Sequence, residues 1–263
     1  MAATQTDHRL AGELAAAAGE LLLDLRERLT REGVDSATLK GEGDRRSHEF
    51  LMGRLAEAAP DDAVLSEEGK DDPARLDATR VWIVDPLDGT REFGEPPRAD
   101  WAVHVALVES RRPIAGAVAL PAQRLVLTSE PPAPLPPDPP VRPRVIVSRS
   151  RPPAVASYLA DVLGGDLVTM GSAGAKASAV ILGAADVYAH AGGQYEWDSC
   201  APVAVALATG LHATRLDGSP LTYNHPDPYL PDLLICHPLL AARALEAVAT
   251  FDPPPPPPPN STQ

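Results

Sequence analysis

An α+β half followed by an α/β half is the fold class this sequence predicts, and three features predict it. Two apolar repeats at helical spacing open the chain, and short strand-like runs follow them in succession. A proline-rich stretch at 130–140 then interrupts any regular element. Beyond it, strand-like and helix-like runs alternate, the pattern of an α/β unit. The expected division is residues 1–140, 141–252 and a tail at 253–263.

The first helix is expected over 7–31, because Leu10, Leu14, Ala18, Leu21, Leu22, Leu25 and Leu29 recur on one helical face. Gly33 is its expected stop. Lys40-Gly41-Glu42-Gly43-Asp44 reads as a charged turn, with Asp44 capping a second helix over 45–58 whose Phe50, Leu51 and Leu55 face inward. Ala63-Val64-Leu65 is a short apolar run followed by Ser66-Glu67-Glu68-Gly69. Strands are expected at 101–109, 113–120 and 124–129, paired antiparallel. After the proline stretch come strands at 145–148, 166–170, 186–190, 212–216 and 233–236, and helices at 153–163, 173–182, 201–209 and 238–249. Seven consecutive prolines from Pro253 to Pro259 read as an extended or disordered appendage.

The chain is organised around Val81-Trp82-Ile83-Val84-Asp85-Pro86-Leu87-Asp88-Gly89-Thr90-Arg91-Glu92-Phe93. Four apolar residues make a buried strand, and Pro86, lacking an N–H, stops its pairing. Asp88-Gly89 supplies a turn, and Thr90 is the expected N-cap of a helix. Two carboxylates three positions apart thus sit between a strand end and a helix start. Hard divalent cations take carboxylate and carbonyl oxygens, and N–H groups at a helix start take an anion. Asp85 and Asp88 alone could equally cap a turn. Glu67-Glu68 alone could be a solvated surface pair, and Asp198, in Glu196-Trp197-Asp198-Ser199-Cys200-Ala201-Pro202, could cap the helix after it.

Composition narrows the function. With 263 residues, 44% hydrophobic and 22% charged, the chain reads as globular. A net charge of −13 speaks against a nucleic-acid polymer as partner, but not against a small phosphorylated substrate met through bound metal. Two cysteines, Cys200 and Cys236, provide no disulfide framework, and no apolar run is long enough to span a membrane, so a cytoplasmic protein is expected. The seven histidines lack zinc-ligand spacing, and His104 and His190 are read as structural. No Gly-x-Ser-x-Gly elbow is present, and Gly171 to Lys176 lacks the Gly-Lys-Ser/Thr ending of a P-loop.

Taken together, Glu67-Glu68, the Trp-Ile-Val-Asp-Pro-Leu-Asp-Gly-Thr-Arg-Glu-Phe stretch and Trp197-Asp198-x-x-Ala201-Pro202 resemble the inositol-monophosphatase-like, magnesium-dependent, lithium-sensitive phosphatases. Leu65-Ser66-Glu67-Glu68 and Asp88 to Phe93 are most similar to the CysQ branch, the 3'(2'),5'-bisphosphate nucleotidases. Gly171-Ser172-Ala173-Gly174-Ala175-Lys176-Ala177 and Tyr229-Leu230-Pro231-Asp232 resemble its actinobacterial members. The resemblance runs from about Leu10 to Ala249. It implies a layered αβαβα fold with a metal site between the halves. It implies two or three Mg²⁺ held by Glu67, Asp85, the Leu87 carbonyl, Asp88 and Asp198, and water activation by Asp44, Glu67 and Thr90. Substrate contacts are implied at Leu87, Asp88, Gly89, Thr90, Arg91, Ser172, Lys176 and Asp198. Arg91 and Lys176 read on their own could instead serve as helix-surface charges. The implied reaction is removal of the 3'-phosphate of adenosine 3',5'-bisphosphate, in sulfate assimilation. The alternatives are an inositol or fructose-1,6-bisphosphate phosphatase and, in another class, a non-catalytic phosphometabolite-binding module. A homodimer is a candidate assembly. The sequence departs from the family pattern in its proline segments and in Glu42-Gly43-Asp44, where a threonine usually precedes the aspartate.

Overall fold

The structure is a computed structural model that describes residues 3–252; the expected proline tail at 253–263 lies outside the described residues. Five layers stack as helix, sheet, helix, sheet, helix. Helices α1 (Gln5–Glu32) and α2 (Ser36–Ala58) form the first layer. The first sheet has the order β1-β2-β3-β4-β5, from β1 (Ala63–Ser66), β2 (Arg80–Asp88), β3 (Ala102–Glu109), β4 (Arg112–Leu120) and β5 (Leu125–Thr128). β1 pairs parallel to β2, and the remaining pairs are antiparallel, as expected for the run of strands.

The period-2 alternation of β2 decides which layer each residue meets. Trp82 and Val84 pack with Val103, Val105 and Leu107 against Leu14, Leu22 and Leu51 of the first layer. Val81 and Ile83 face the opposite way, into a core shared with α5 (Ala173–Ile181) and α6 (Glu196–Thr209). These two helices make the central layer. Their other side packs on the second sheet, through Ile146, Tyr188, Leu233 and Ile235.

The second sheet has the order β7-β6-β8-β10-β9, from β6 (Arg144–Ser148), β7 (Asp166–Met170), β8 (Val187–Tyr195), β9 (His212–Thr214) and β10 (Tyr229–Cys236). β6 pairs parallel to both β7 and β8, whereas β10 is antiparallel to its two neighbours. Helices α4 (Ala154–Leu163) and α7 (Pro238–Ala249) close the far face. No helix among the described residues is long and apolar enough to cross a membrane.

Four local expectations are corrected. Lys40 to Asp44 is not a turn: α2 starts at Ser36, capped by the Asp35 side chain, and Asp44 sits mid-helix. Of its two glycines, Gly43 allows close packing rather than a break. A Cβ on Gly43 would stand 2.7 Å from the Phe93 ring and 2.8 Å from Leu87. Second, pairing of β2 continues to Asp88, through an irregularity between Asp85 and Asp88 that accommodates Pro86. Third, Thr90 is the first residue of the short α3 (Thr90–Phe93), and Gly89, with φ 83°, is the N-cap. Fourth, Asp198 does not cap a helix beginning at Ala201. Helix α6 begins at Glu196, and Asp198 reaches back from its third position to accept the Tyr195 N–H at 2.7 Å.

Candidate active site

The end of β2 and the start of α6 bring three carboxylates together. Ligand oxygens of Asp85, Asp88 and Asp198 all lie within 4.8 Å of one another. β1 places Glu67 beside them, because Ser66 pairs with Val84 and Glu67 follows at the strand end, its N–H 3.4 Å from the Val84 carbonyl. Glu67 and Asp85 lie close enough for each carboxyl group to influence the other's proton affinity.

The electrostatics of the cluster follow from burial and like charge. Asp85 is pushed well above the usual carboxylate range, by burial first and then by Glu67, Asp88 and Asp198. Glu67 is exposed as a residue, but the burial of its carboxyl group, and then Asp198 and Asp88, raise it to about 7 against a lowering influence of Asp85. Asp198 also rises to about 7, by burial and then Asp88. Asp88 goes the other way, to about 2, because His104, Ser172 and Lys176 together outweigh its burial. His104 Nε2 is 3.3 Å from Asp88 Oδ2, and its Nδ1 is 3.0 Å from the Trp197 carbonyl. The imidazole is therefore raised above its ordinary value by Asp88, against its burial. Asp88 also accepts the N–H groups of Ala173 (3.0 Å) and Gly174 (2.6 Å) at the start of α5, and the Ser172 hydroxyl. Gly174 permits this approach: a Cβ there would lie 2.0 Å from His104 Nε2.

A second group borders the cluster. Thr90 Oγ1 lies 3.0 Å from both Asp44 Oδ1 and the Leu87 carbonyl. Helix α2 therefore delivers Asp44 from its middle, and the Ser47 hydroxyl, donating to the Pro86 carbonyl at 2.6 Å, fixes α2 on the turn. Burial raises Asp44 to about 6 despite the Thr90 hydrogen bond. The Leu87 N–H is given to Asp85 Oδ1 at 3.0 Å.

The sequence-derived residues converge. Asp88, Arg91, Ser172, Lys176 and Asp198 line one cleft of about 460 Å³. Lys176 faces it rather than solvent: the side chain is buried, its Nζ donates to the Ser172 carbonyl at 2.5 Å, and burial lowers its pKa. Arg91 remains exposed and pairs with Glu95 at 3.4 Å. Sequence reasoning gave His104 a structural role and so missed its contact with Asp88. Its cue was a lone ionisable residue in the otherwise apolar Ala102 to Val108 run. Glu92 and Asp100 were also missed. Glu92 takes Arg149 at 2.7 Å and so holds the loop after β6, and Asp100 accepts the Gly171 N–H at 2.7 Å and so holds the loop that carries Ser172.

The donor set suits a hard cation: the oxygens come from carboxylates and a carbonyl, and the four acids Glu67, Asp85, Asp88 and Asp198 are faced by one imidazole and one ammonium, those of His104 and Lys176. A model of the inositol monophosphatase family matches residues 5–249. The chain is 49% identical over 252 residues to the 3'-phosphoadenosine 5'-phosphate phosphatase of Mycobacterium leprae (strain TN), covering 88% of this chain and 89% of that protein. It is 32% identical over 198 residues to the 3'(2'),5'-bisphosphate nucleotidase CysQ of Escherichia coli (strain K12), covering 70% and 79%. Among solved structures, CysQ from Bacteroides thetaiotaomicron superposes with a TM-score of 0.74 at 28% identity, over 89% of this chain and 97% of that one.

Proposed function

The chain belongs to the inositol monophosphatase family, and from that premise we propose that it removes the 3'-phosphate of adenosine 3',5'-bisphosphate, giving AMP and phosphate. The observation that carries this reading is the buried Asp85–Asp88–Asp198 cluster opening on a cleft, in a chain about half identical to a phosphatase named for that substrate. Glu67, Asp85, the Leu87 carbonyl, Asp88 and Asp198 would hold two or three Mg²⁺, which supply the positive charge that phosphoryl transfer requires.

The chain's own groups do the rest. Thr90 Oγ1 orients the attacking water and relays its proton to Asp44 Oδ1, whose raised basicity suits it to receive a proton near neutral pH. The first N–H groups of α3, following Gly89, lack intrahelical acceptors and are offered to the phosphate. Asp88 is orientated before substrate arrives by His104, Ser172 and the start of α5, so little reorganisation accompanies the reaction. The linked Thr90–Asp44 pair supports catalysis over a purely binding role, since a binding module has no use for a proton relay.

Phosphate release from adenosine 3',5'-bisphosphate, myo-inositol 1-phosphate and fructose 1,6-bisphosphate, at matched Mg²⁺, tests the proposal. The nucleotide is expected to give the highest kcat/KM, with activity lost in EDTA and inhibited by Li⁺. A higher kcat/KM for either of the other two would overturn the substrate assignment, and full activity in EDTA would overturn the mechanism.

A further inference from the structure

The cleft beside the carboxylates is built from the carboxyl ends of β6, β7 and β8. Ser148, Ser150 and Arg151 come from the end of β6 and the loop after it, Gly171 and Ser172 from the loop after β7, and His190 and Gln194 from the middle and end of β8. Ligands of parallel α/β sheets settle at this end, where crossover connections diverge. The cluster occupies one wall only, so a substrate held there by one phosphate has the rest of the cleft to fill.

The cations around the cleft are not equivalent. Arg91 is paired with Glu95, Arg149 is paired with Glu92 and Glu95, and Arg98 is paired with Asp100. Arg151 lines the cleft and makes no ion pair among the described residues. Of the two arginines that line the cleft, Arg151 is the one without a carboxylate partner among the described residues. The loop holds it there: the Arg151 N–H donates to Ser148 Oγ at 3.3 Å, and Pro152 and Pro153 then fix the backbone that leads into α4. Lys176 lies behind, its ammonium 5.4 Å from the centre of the Tyr188 ring and bound to the Ser172 carbonyl. His190 adds no charge of its own: burial first, and then Lys176 and Arg151 against a raising hydrogen bond to the Gly192 carbonyl, bring it down to about 4.

We infer that Arg151, backed by Lys176, is a second anion subsite in the cleft, holding the phosphate that the reaction leaves in place, the 5'-phosphate of a nucleoside 3',5'-bisphosphate. This rests on the functional reading above. The carboxylates and their metals serve the departing phosphate, and the remaining one is also an anion in need of a partner. Arginine suits it, because the planar guanidinium matches phosphate oxygens two at a time. Arg151 thereby becomes the residue that separates bisphosphates from monophosphates.

The test compares adenosine 3',5'-bisphosphate with adenosine 3'-monophosphate, which lacks only the 5'-phosphate. In Arg151→Ala, kcat/KM for the bisphosphate is expected to fall about tenfold, mainly through KM, while that for the monophosphate holds. Inhibition by AMP should weaken by a similar factor, and inhibition by inorganic phosphate should not change. Arg151→Lys should restore part of the preference. Equal losses on both substrates, or unaltered AMP inhibition, would overturn the subsite. Calorimetric binding of AMP against adenosine separates this from failure of the functional reading. A wild-type protein that hydrolyses neither nucleotide yet binds AMP in an Arg151-dependent way refutes only that reading, and binding of AMP indifferent to Arg151 refutes the subsite.

Discussion

The two ends of β2 both gather carboxylates, and they treat them in opposite ways. At its start, Arg80 reaches Asp7 at 2.6 Å and Asp62 at 2.9 Å, and the Trp82 indole donates to Asp62 at 2.9 Å. Burial alone would raise Asp7, but Arg80 and Thr4 hold it at about 2. Toward its end, Asp85 faces Glu67 and Asp198 with no arginine between them, and all three are driven upward, while Asp88 alone meets cations of the chain, His104 and Lys176, and is held at about 2. Acids matched by a cation of their own chain hold the fold together. Acids buried against one another cost stability unless a cation from outside joins them, so the far end of the strand is built for something other than folding.

The sharpest way to break the comparison is to neutralise one carboxylate at each end. Asp85→Asn should lower the phosphatase rate by at least about 10³-fold, since Asp85 sits in the centre of the cluster. Its melting temperature in EDTA should not fall, because a neutral amide replaces a buried carboxyl group that the metal-free protein already disfavours in its charged form. A variant that keeps its rate would return Asp85 to a purely structural role. Asp198→Asn should cost about 10²-fold and shift the Mg²⁺ titration to higher concentrations. Asparagine can still accept the Tyr195 N–H, so the α6 start is kept and metals are the remaining cause. Wild-type rate and Mg²⁺ dependence in that variant would sink the ligand assignment. At the other end, Arg80→Leu should remove about 2–3 kcal/mol of stability, leaving two acids half-buried without their partner. Its Mg²⁺ dependence should match wild type; a shifted titration would show that the two ends communicate.

This contrast also explains what could be read in the sequence. Period and punctuation carried most of the fold: the helical stripe ending at Gly33, the run β3–β4–β5 and the alternation after residue 140 all correspond to observed elements. Local chemistry misled at Gly41 and Gly43, since glycine signals a turn by propensity while both lie within α2, and Gly43 there serves contact with Phe93 and Leu87, which lie about fifty residues away in sequence. The same distance hid His104, whose role depends on the register that sets it opposite Asp85. The carboxylates of the cluster were visible because each stands at a strand end or helix start. Asp44 was assigned to the site through a resemblance and to the wrong local structure, because only tertiary packing brings the middle of α2 to Thr90.

The smallest effect separates the two ends by pH alone. Take the metal-free protein in EDTA. Asp7 has a folded value of about 2 against an ordinary 3.8, so its contribution is present above pH ~4 and is lost as pH falls toward 2. That loss amounts to about 2 kcal/mol. Glu67 and Asp198 have the opposite sign. Their folded values near 7 exceed the unfolded ones, so the folded state binds more protons between about pH 4 and 7, and stability falls as pH rises through that window. Thermal melts in EDTA should therefore rise on acidification from pH 7 to about 4.5 and drop below about 4. Saturating Mg²⁺ should reverse the first limb, because the ligands must be ionised to hold metal, and its stabilisation fades as they protonate. Arg80→Leu should blunt the share of the acid drop that Asp7 supplies and leave that of Asp88, and Asp198→Asn should blunt only the rise. An EDTA curve that is flat or descending from pH 7 to 4.5 would mean that the carboxylates at the end of β2 are already matched by charges of the chain, and the distinction between the two ends would collapse.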